Sequence, residues 1–140
     1  MKKEKSAGFL IFRKDGDKIE YLFLKNKDRF DIPKGLQKSN ESELETALRE
    51  LEEETGLKDI KVIPLFKKKA EYFYKCNNEI IKKEVVYFLG ETKTKEIKIS
   101  EEHDGYVWMS KEEALSKLKY ENLKNLVETA EKFIRGMGDV

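Results

Sequence analysis

The sequence predicts an α/β protein of the α+β type, in which a mixed β-sheet is covered by α-helices. Short apolar segments with β-prone residues fill most of the first two thirds of the chain, and one amphipathic helical segment interrupts them. Two more amphipathic helical segments close the chain, so the helices and strands follow the order expected of a mixed sheet between helices. The length of 140 residues fits a single domain over residues 1–140.

The first strands are predicted from apolar and aromatic runs. Residues 7–13 are apolar and β-prone, and residues 19–24 alternate with aromatic side chains. Between them, residues 14–17 (Lys-Asp-Gly-Asp) have the composition of a hairpin turn. A third, short strand is predicted over residues 30–33, where Pro33 would end it.

A helix is predicted from Ser42 because the apolar period changes there to that of a helix. Ser42 with Glu45, or Asn40 with Glu43, can form a capping box. Gly56 is placed to end the helix in a left-handed conformation. The face expected to pack on the core carries Leu44, Ala47, Leu48 and Leu51.

The second half of the chain predicts four more strands and two helices. The strands are expected over residues 59–66, 70–74, 84–91 and 106–109, and the helices over residues 111–118 and 121–134. Asn77 and Asn78 predict a turn between the second and third of these strands.

The composition limits what the protein can do. The chain has 29 Lys and Arg against 28 Asp and Glu, so its net charge is +1. This balance argues against binding nucleic acid through bulk positive charge, and an aromatic share of 11% argues against disorder. Cys76 is alone, which excludes an internal disulfide and fits the cytoplasm. The apolar run at residues 7–12 is too short for a signal peptide or a membrane span, so no membrane partner is expected.

Three carboxylates on the predicted central helix suggest a cation site. Glu50, Glu53 and Glu54 have the spacing i, i+3, i+4, which places them on one face of the helix. Like charges at this spacing destabilise a helix, and the negative end of the helix dipole disfavours them further. A divalent cation bound by hard oxygen ligands would account for the placement. In a Glu-rich chain, a solvated acidic face is the alternative.

A longer pattern surrounds these carboxylates. Residues 35–57 match Gly-x5-Glu-x7-Arg-Glu-apolar-x-Glu-Glu-x-Gly-apolar at every position. The matching residues are Gly35, Glu41, Arg49, Glu50, Leu51, Glu53, Glu54, Gly56 and Leu57. The segment resembles the signature of the Nudix hydrolases, which use Mg²⁺ or Mn²⁺ to hydrolyse nucleoside diphosphates linked to another moiety. The resemblance implies the Nudix-type mixed β-sheet sandwiched between α-helices.

The flanking segments resemble a narrower group, the asymmetric diadenosine tetraphosphate hydrolases of the animal and archaeal type. The similar segments are residues 7–13, 30–35, 84–89 and 100–108, and the likeness extends over residues 7–134. It implies cleavage of diadenosine tetraphosphate to ATP and AMP. Relatives in this group often have Trp where this chain has Phe30.

The family resemblance implies a metal site. Glu50, Glu53 and Glu54 would bind Mg²⁺ or Mn²⁺, with the Gly35 carbonyl as a further ligand. Glu102 matches a loop carboxylate that can add a ligand or act as a base.

The resemblance also implies a positioning residue and a general base. Arg49 would orient the carboxylates through an ion pair, with Glu41 as the expected partner. A carboxylate would take the proton of the attacking water, and Glu54 and Glu50 rank ahead of Glu102 for this role.

The implied substrate contacts lie in the flanks. Lys34 and Lys83 could contact the polyphosphate as point charges, and Tyr72 and Tyr120 match aromatics that stack on bases. Each Tyr has an alternative role in the core or at the rim. His103, the only histidine, could contact phosphate, move a proton or be structural.

Other functions stay open at this point. Removal of pyrophosphate from the 5′ end of triphosphorylated or capped RNA is one, and another nucleoside diphosphate derivative is a second. Diphosphoinositol phosphates are a third, since residues 67–69 are all Lys, although these could equally be a solvated strand end. A non-catalytic nucleotide-binding module is the alternative from a different class, and the intact pattern argues against it. The sequence does not determine the oligomeric state.

Overall fold

The structure is a computed structural model that describes residues 1–137. These residues form seven strands and three helices. The strands are β1 (Lys2–Asp15), β2 (Lys18–Asn26), β3 (Arg29–Asp31), β4 (Lys34–Leu36), β5 (Lys61–Cys76), β6 (Glu79–Glu91) and β7 (Gly105–Met109). The helices are α1 (Glu43–Thr55), α2 (Lys111–Lys117) and α3 (Glu121–Met137).

The strands form one mixed sheet with β1 at its centre. The main strand order is β3-β2-β1-β6-β5, while β4 pairs with β1 and β7 pairs with β2. The β1–β6 pair is parallel and the other pairs are antiparallel. In this register Ala7 lies between Val86 of β6 and Gly35 of β4. The short β4 strand therefore brings Gly35, the first residue of the pattern over residues 35–57, to the middle of the sheet.

Helices cover both faces of the sheet, as the sequence predicts. Because successive side chains of a strand point to opposite faces of the sheet, β1 contributes side chains to two separate apolar layers. The layer under α1 contains Ala7, Phe9, Ile11, Leu22, Ala47, Leu51 and Val86. The layer under α2 and α3 contains Leu10, Phe12, Tyr21, Phe23, Leu89, Ala114, Val127 and Ala130. Within residues 1–137, no helix is long and apolar enough to cross a membrane.

The prediction of two strands over residues 59–66 and 70–74 is wrong. The structure has one strand, β5, whose pairing with β6 shifts register between Val62 and Lys67. Leu65 has a φ of 67° and is almost fully exposed, so it is the residue that bulges out. The lysines at residues 67–69 do not break the strand because β5 lies at the sheet edge, where charged side chains are tolerated.

Other boundaries also differ from the prediction. β1 starts earlier than expected, at Lys2, because it pairs with β6 from residue 2 onwards. β6 also starts earlier, at Glu79, because its first residues pair with the end of β5. The predicted strand over residues 30–33 is two short strands, β3 and β4, with Pro33 between them. The turn at Asn77 and Asn78 is confirmed, and both residues have positive φ.

Candidate active site

Local sequence signals fix α1, the helix that carries the carboxylates. The Ser42 side chain accepts a hydrogen bond from the Glu45 backbone N–H, and the Glu45 carboxylate accepts one from the Ser42 backbone N–H, so this is the capping box that forms. Gly56 ends the helix with a φ of 73°, as predicted. Leu48 was expected to face the core, but it is 39% exposed; the polar Thr46 is buried instead, and its hydroxyl donates to a Glu41 carboxylate oxygen.

Arg49 is the centre of an ion-pair network. Its Nε and Nη2 donate to the two carboxylate oxygens of Glu41 at 2.6 and 3.0 Å, a bidentate geometry that matches the predicted pair. Its Nη1 lies 2.8 Å from Glu50 Oε1 and 3.5 Å from Glu53 Oε2. The guanidinium holds the pKa of Glu41 well below its usual value, at about 2. Arg49 thus holds the carboxylates of Glu50 and Glu53 next to the same guanidinium nitrogen.

Gly35 is pressed against the carboxylate of Glu50. A Cβ atom on residue 35 would overlap that carboxylate, so a larger residue here would push the Glu50 side chain out of its present position. Burial raises the pKa of Glu50, and the Arg49 guanidinium opposes this rise. The packing places the Glu50 carboxylate directly beside the Gly35 backbone.

Glu54 is the most buried of the three carboxylates, with 7% of its surface exposed. Its Oε2 atom is buried without a hydrogen-bond partner, and its Oε1 atom lies 3.7 Å from His103 Nε2. Burial, reinforced by the negative charge of Glu50, raises the pKa of Glu54 to about 8. A buried carboxylate oxygen without a partner is costly unless a proton or a cation satisfies it.

The residues around Glu54 fit a divalent cation. The carboxylates supply hard oxygen atoms, which divalent cations such as Mg²⁺ prefer, and the buried Oε2 atom of Glu54 makes no hydrogen bond that would compete with a cation. Over residues 1–137, no three acidic, His or Cys side chains already stand together as a complete ion cage. The Glu50 and Glu53 carboxylates are paired with Arg49, and the Glu53 side chain is 57% exposed.

The loop between β6 and β7 brings Glu102 and His103 to this helix. His103 is held in a turn, with its N–H bonded to the Ser100 carbonyl at 3.2 Å. Glu102 is exposed, and its negative charge contributes to raising the pKa of both Glu50 and Glu54. The loop therefore faces the carboxylates of α1.

A cavity of about 510 Å³ opens on the other side of His103. Four of the predicted substrate residues line it: Lys34, Tyr72, His103 and Tyr120. The fifth, Lys83, is paired with Tyr72 across β5 and β6, next to the cavity rather than in its lining. His103 joins the two regions, since it lines the cavity and faces Glu54.

Two lysines lie close together beside the cavity. The Lys34 Nζ atom is 2.7 Å from Asp31 Oδ2, which is also a lining residue. Burial lowers the pKa of Lys83, and the positive charge of Lys34 lowers it further. The two ammonium groups repel each other, and Lys83 is partly buried. A bound anion would reduce this repulsion, so the pair is suited to bind an anion.

Sequence reasoning missed several lining residues, among them Arg29, Asp31 and Tyr87. Asp31 and Tyr87 stand in flanking segments that resemble the narrower hydrolase group, but nothing in the sequence indicated a role for either residue. Arg29 lies outside these segments. The lysines at residues 67–69 lie outside the cavity lining, and Lys67 forms an ion pair of 2.6 Å with Glu43. Trp108 packs on the apolar layer under α1 and donates to the Lys95 carbonyl.

A helix with three carboxylates on one face thus lies beside a cavity that is lined by lysine and aromatic side chains, and such an arrangement can bind a divalent cation next to an anionic ligand. The NUDIX domain matches residues 2–135. The chain therefore belongs to the Nudix family, and it is a Nudix hydrolase.

Known proteins of similar sequence and fold agree with this assignment. The chain is 33% identical to the asymmetrical bis(5′-nucleosyl)-tetraphosphatase of Rattus norvegicus, over 93% of this chain and 95% of that protein. The fold matches the crystal structure of a Caenorhabditis elegans Ap4A hydrolase binary complex with a TM-score of 0.84 and 27% identity, covering 95% of this chain and 98% of the other. A shorter segment is 52% identical to the mRNA-decapping protein g5R of African swine fever virus, covering 31% of this chain and 19% of that protein.

Proposed function

We propose that the protein hydrolyses diadenosine tetraphosphate asymmetrically, to ATP and AMP, with Mg²⁺ or Mn²⁺. The observation that carries this proposal is the position of His103, which links the aromatic cavity to Glu54 of the acidic helix. A substrate with a nucleoside at each end of a polyphosphate needs both an aromatic base site and a nearby hydrolytic site. The similarity to the Rattus norvegicus tetraphosphatase over most of both chains supports the choice.

The metal would be held by oxygen atoms of α1 and β4. Glu50, Glu53 and Glu54 would be the carboxylate ligands, with the Gly35 carbonyl beside them and Glu102 reaching in from its loop. A bound divalent cation would neutralise phosphate oxygens and make a water more acidic. Arg49 would act as the positioning residue. Glu41 holds the Arg49 guanidinium in place, and the guanidinium in turn orients the carboxylates of Glu50 and Glu53 in the metal-free protein.

A carboxylate would accept the proton of the attacking water. We place Glu54 first in this role because its carboxylate is buried, faces the loop that carries His103 and has an Oε2 atom without a hydrogen-bond partner. Glu50 ranks next, and Glu102 is the alternative from the loop. His103 lies 3.7 Å from the Glu54 Oε1 atom and would hold that carboxylate or contact a phosphate.

The cavity would bind the rest of the substrate. Lys34 and Lys83 would contact the polyphosphate, and its negative charge would relieve the repulsion between them. Tyr72 and Tyr120, both partly exposed and both in the cavity lining, would stack on a base. Cys76 is free and exposed, which fits the cytoplasm as the site of action.

A substrate panel tests the proposal. Purified protein is incubated in magnesium buffer with diadenosine tetraphosphate, a short 5′-triphosphate RNA, a capped RNA and a diphosphoinositol phosphate, and kcat/KM is measured for each. We expect the highest value for the dinucleotide. Faster hydrolysis of any other member would overturn the proposed substrate.

Pyrophosphate removal from RNA 5′ ends is the second candidate. The short similarity to the viral mRNA-decapping protein favours it. The match covers only 31% of this chain, so it supports RNA less than the full-length similarity supports the dinucleotide. Higher kcat/KM on the capped or triphosphorylated RNA would support this second candidate.

A further inference from the structure

Arg29 lies on the rim of the cavity, and the function proposed above gives it no role. It lies in β3 and lines the cavity. Its Nη1 atom donates a hydrogen bond of 3.2 Å to the hydroxyl of Tyr120, a residue 91 positions away in the chain. The bond therefore joins two opposite parts of the rim, the β2–β3 hairpin and the segment between α2 and α3.

The Tyr120 ring has little else to hold it. Its backbone is fixed, because its carbonyl accepts hydrogen bonds from the N–H groups of Leu123 and Lys124 at the start of α3. The side chain, however, belongs to a residue that is 45% exposed and lies outside both apolar layers. Rotation of an exposed tyrosine about its two side-chain bonds moves the ring as a whole, so a hydrogen bond to its hydroxyl restricts the ring orientation.

Arg29 is attached to a rigid support. It pairs with Asn26 in the short β2–β3 hairpin. Lys27 takes a φ of 58° in the turn, and its N–H donates to Asp104 Oδ2 at 2.7 Å. The hairpin is thus fixed both by the sheet and by the loop that carries His103. This support fixes the Arg29 backbone on one side of the rim, and from there the exposed guanidinium reaches the Tyr120 hydroxyl.

We propose that Arg29 is a positioning residue that holds the Tyr120 ring against a nucleobase bound in the cavity. Tyr72 lies on another wall of the same cavity, on β5, with its ring tilted at 43° to that of Tyr74. The inference rests on the proposed function only in that the occupant is a nucleotide. Arg29 acts through the tyrosine hydroxyl: it reduces the ring freedom that binding must otherwise remove, and it takes no part in the chemical step.

The rim also provides a matched control. Lys119 is the neighbour of Tyr120, and its Nζ atom lies 2.8 Å from Asp28 Oδ2, next to Arg29. The Lys119 and Asp28 side chains are 54% and 80% exposed, so the pair contributes little to stability. The Lys119→Met variant removes one positive charge from the same rim and leaves the Arg29–Tyr120 bond intact. It therefore separates loss of charge from loss of the bond.

The test measures the affinity for a non-hydrolysable methylene-bridged analogue of diadenosine tetraphosphate by calorimetry in magnesium buffer. The variants are Arg29→Met, Tyr120→Phe, the double variant and Lys119→Met, and the melting temperature of each is recorded. Loss of one hydrogen bond should raise the Kd by about threefold to tenfold in each single variant. The double variant should be no weaker than either single one, and Lys119→Met should match the wild type. With the hydrolysable dinucleotide, KM should rise and kcat should stay unchanged.

Several results would overturn the inference. One is an Arg29→Met effect that is as large in the Tyr120→Phe background as in the wild type, because Arg29 would then act without the hydroxyl. Another is an equal loss in Lys119→Met, which would indicate bulk charge. Failure of the wild type to bind the analogue also overturns it. If the wild type binds the analogue and the variants behave as expected, but the dinucleotide gives no ATP and AMP, the proposed reaction fails while the role of Arg29 stands.

Discussion

Substitution of Gly35 by alanine tests the packing of β4 against the acidic helix. The added Cβ would lie 2.6 Å from Glu50 Oε2 and closer still to the rest of that carboxylate. Carbon and oxygen atoms in contact keep roughly 3.5 Å between them, so the carboxylate must move by about 1 Å. Because Glu50 is the flexible partner, the fold should survive with a change in the free energy of unfolding of within about 1 kcal/mol.

Activity should respond far more strongly than stability. A displacement of about 1 Å in a positioned group lowers turnover by roughly 100-fold. The assays are initial rates in magnesium buffer, Mn²⁺ binding followed by electron paramagnetic resonance, and thermal unfolding. Gly105→Ala is the matched control, since Gly105 is also a strand glycine and a Cβ there meets nothing within 4 Å. Unchanged rate and Mn²⁺ affinity in Gly35→Ala would refute the assignment of Glu50 to the metal site.

Two other substitutions in α1 separate catalysis from folding. Glu53→Gln should lower kcat by about 100-fold or more at an unchanged melting temperature. Glu52→Gln, at an equally exposed position, should keep full activity. Similar rates in the two variants would contradict the metal site. Glu43 lies 2.6 Å from both Lys5 and Lys67, which lower its pKa from 4.5 to about 2. This stabilisation is present above pH 4.5 and is lost as the pH falls towards 2. Glu43→Gln should therefore lower the free energy of unfolding by about 1 kcal/mol at pH 7, after allowance for solvent screening of the lysines, and should leave it unchanged near pH 2. Urea unfolding at both pH values measures this difference, and a constant difference would contradict it.

The parts of the fold that sequence predicted well are those encoded by local signals. α1 begins directly after Ser42 and ends before Gly56 because a capping box and a left-handed glycine lie at its two ends in the chain. β5 was divided wrongly because its lysines are unfavourable in a central strand, and nothing in the sequence shows that this strand lies at the edge. Edge position is a property of the whole sheet.

The same distinction applies to the site. The spacing of Glu50, Glu53 and Glu54 indicated one helical face, but it did not show that Glu54 is buried while Glu53 faces solvent. That difference arises from β4 and the loop with His103, which cover one side of α1. The bond between Arg29 and Tyr120 joins residues 91 positions apart, so no local pattern could have indicated it.

Identification of the products tests the central proposal most directly. The wild-type protein is incubated with diadenosine tetraphosphate in magnesium buffer made with ¹⁸O-water. The nucleotides are then separated, and their masses are determined by mass spectrometry. Asymmetric hydrolysis predicts ATP and AMP in equal amounts, with one ¹⁸O atom incorporated per cleavage, and no product formation once the metal is chelated. Two molecules of ADP, or no cleavage at all, would contradict the proposal.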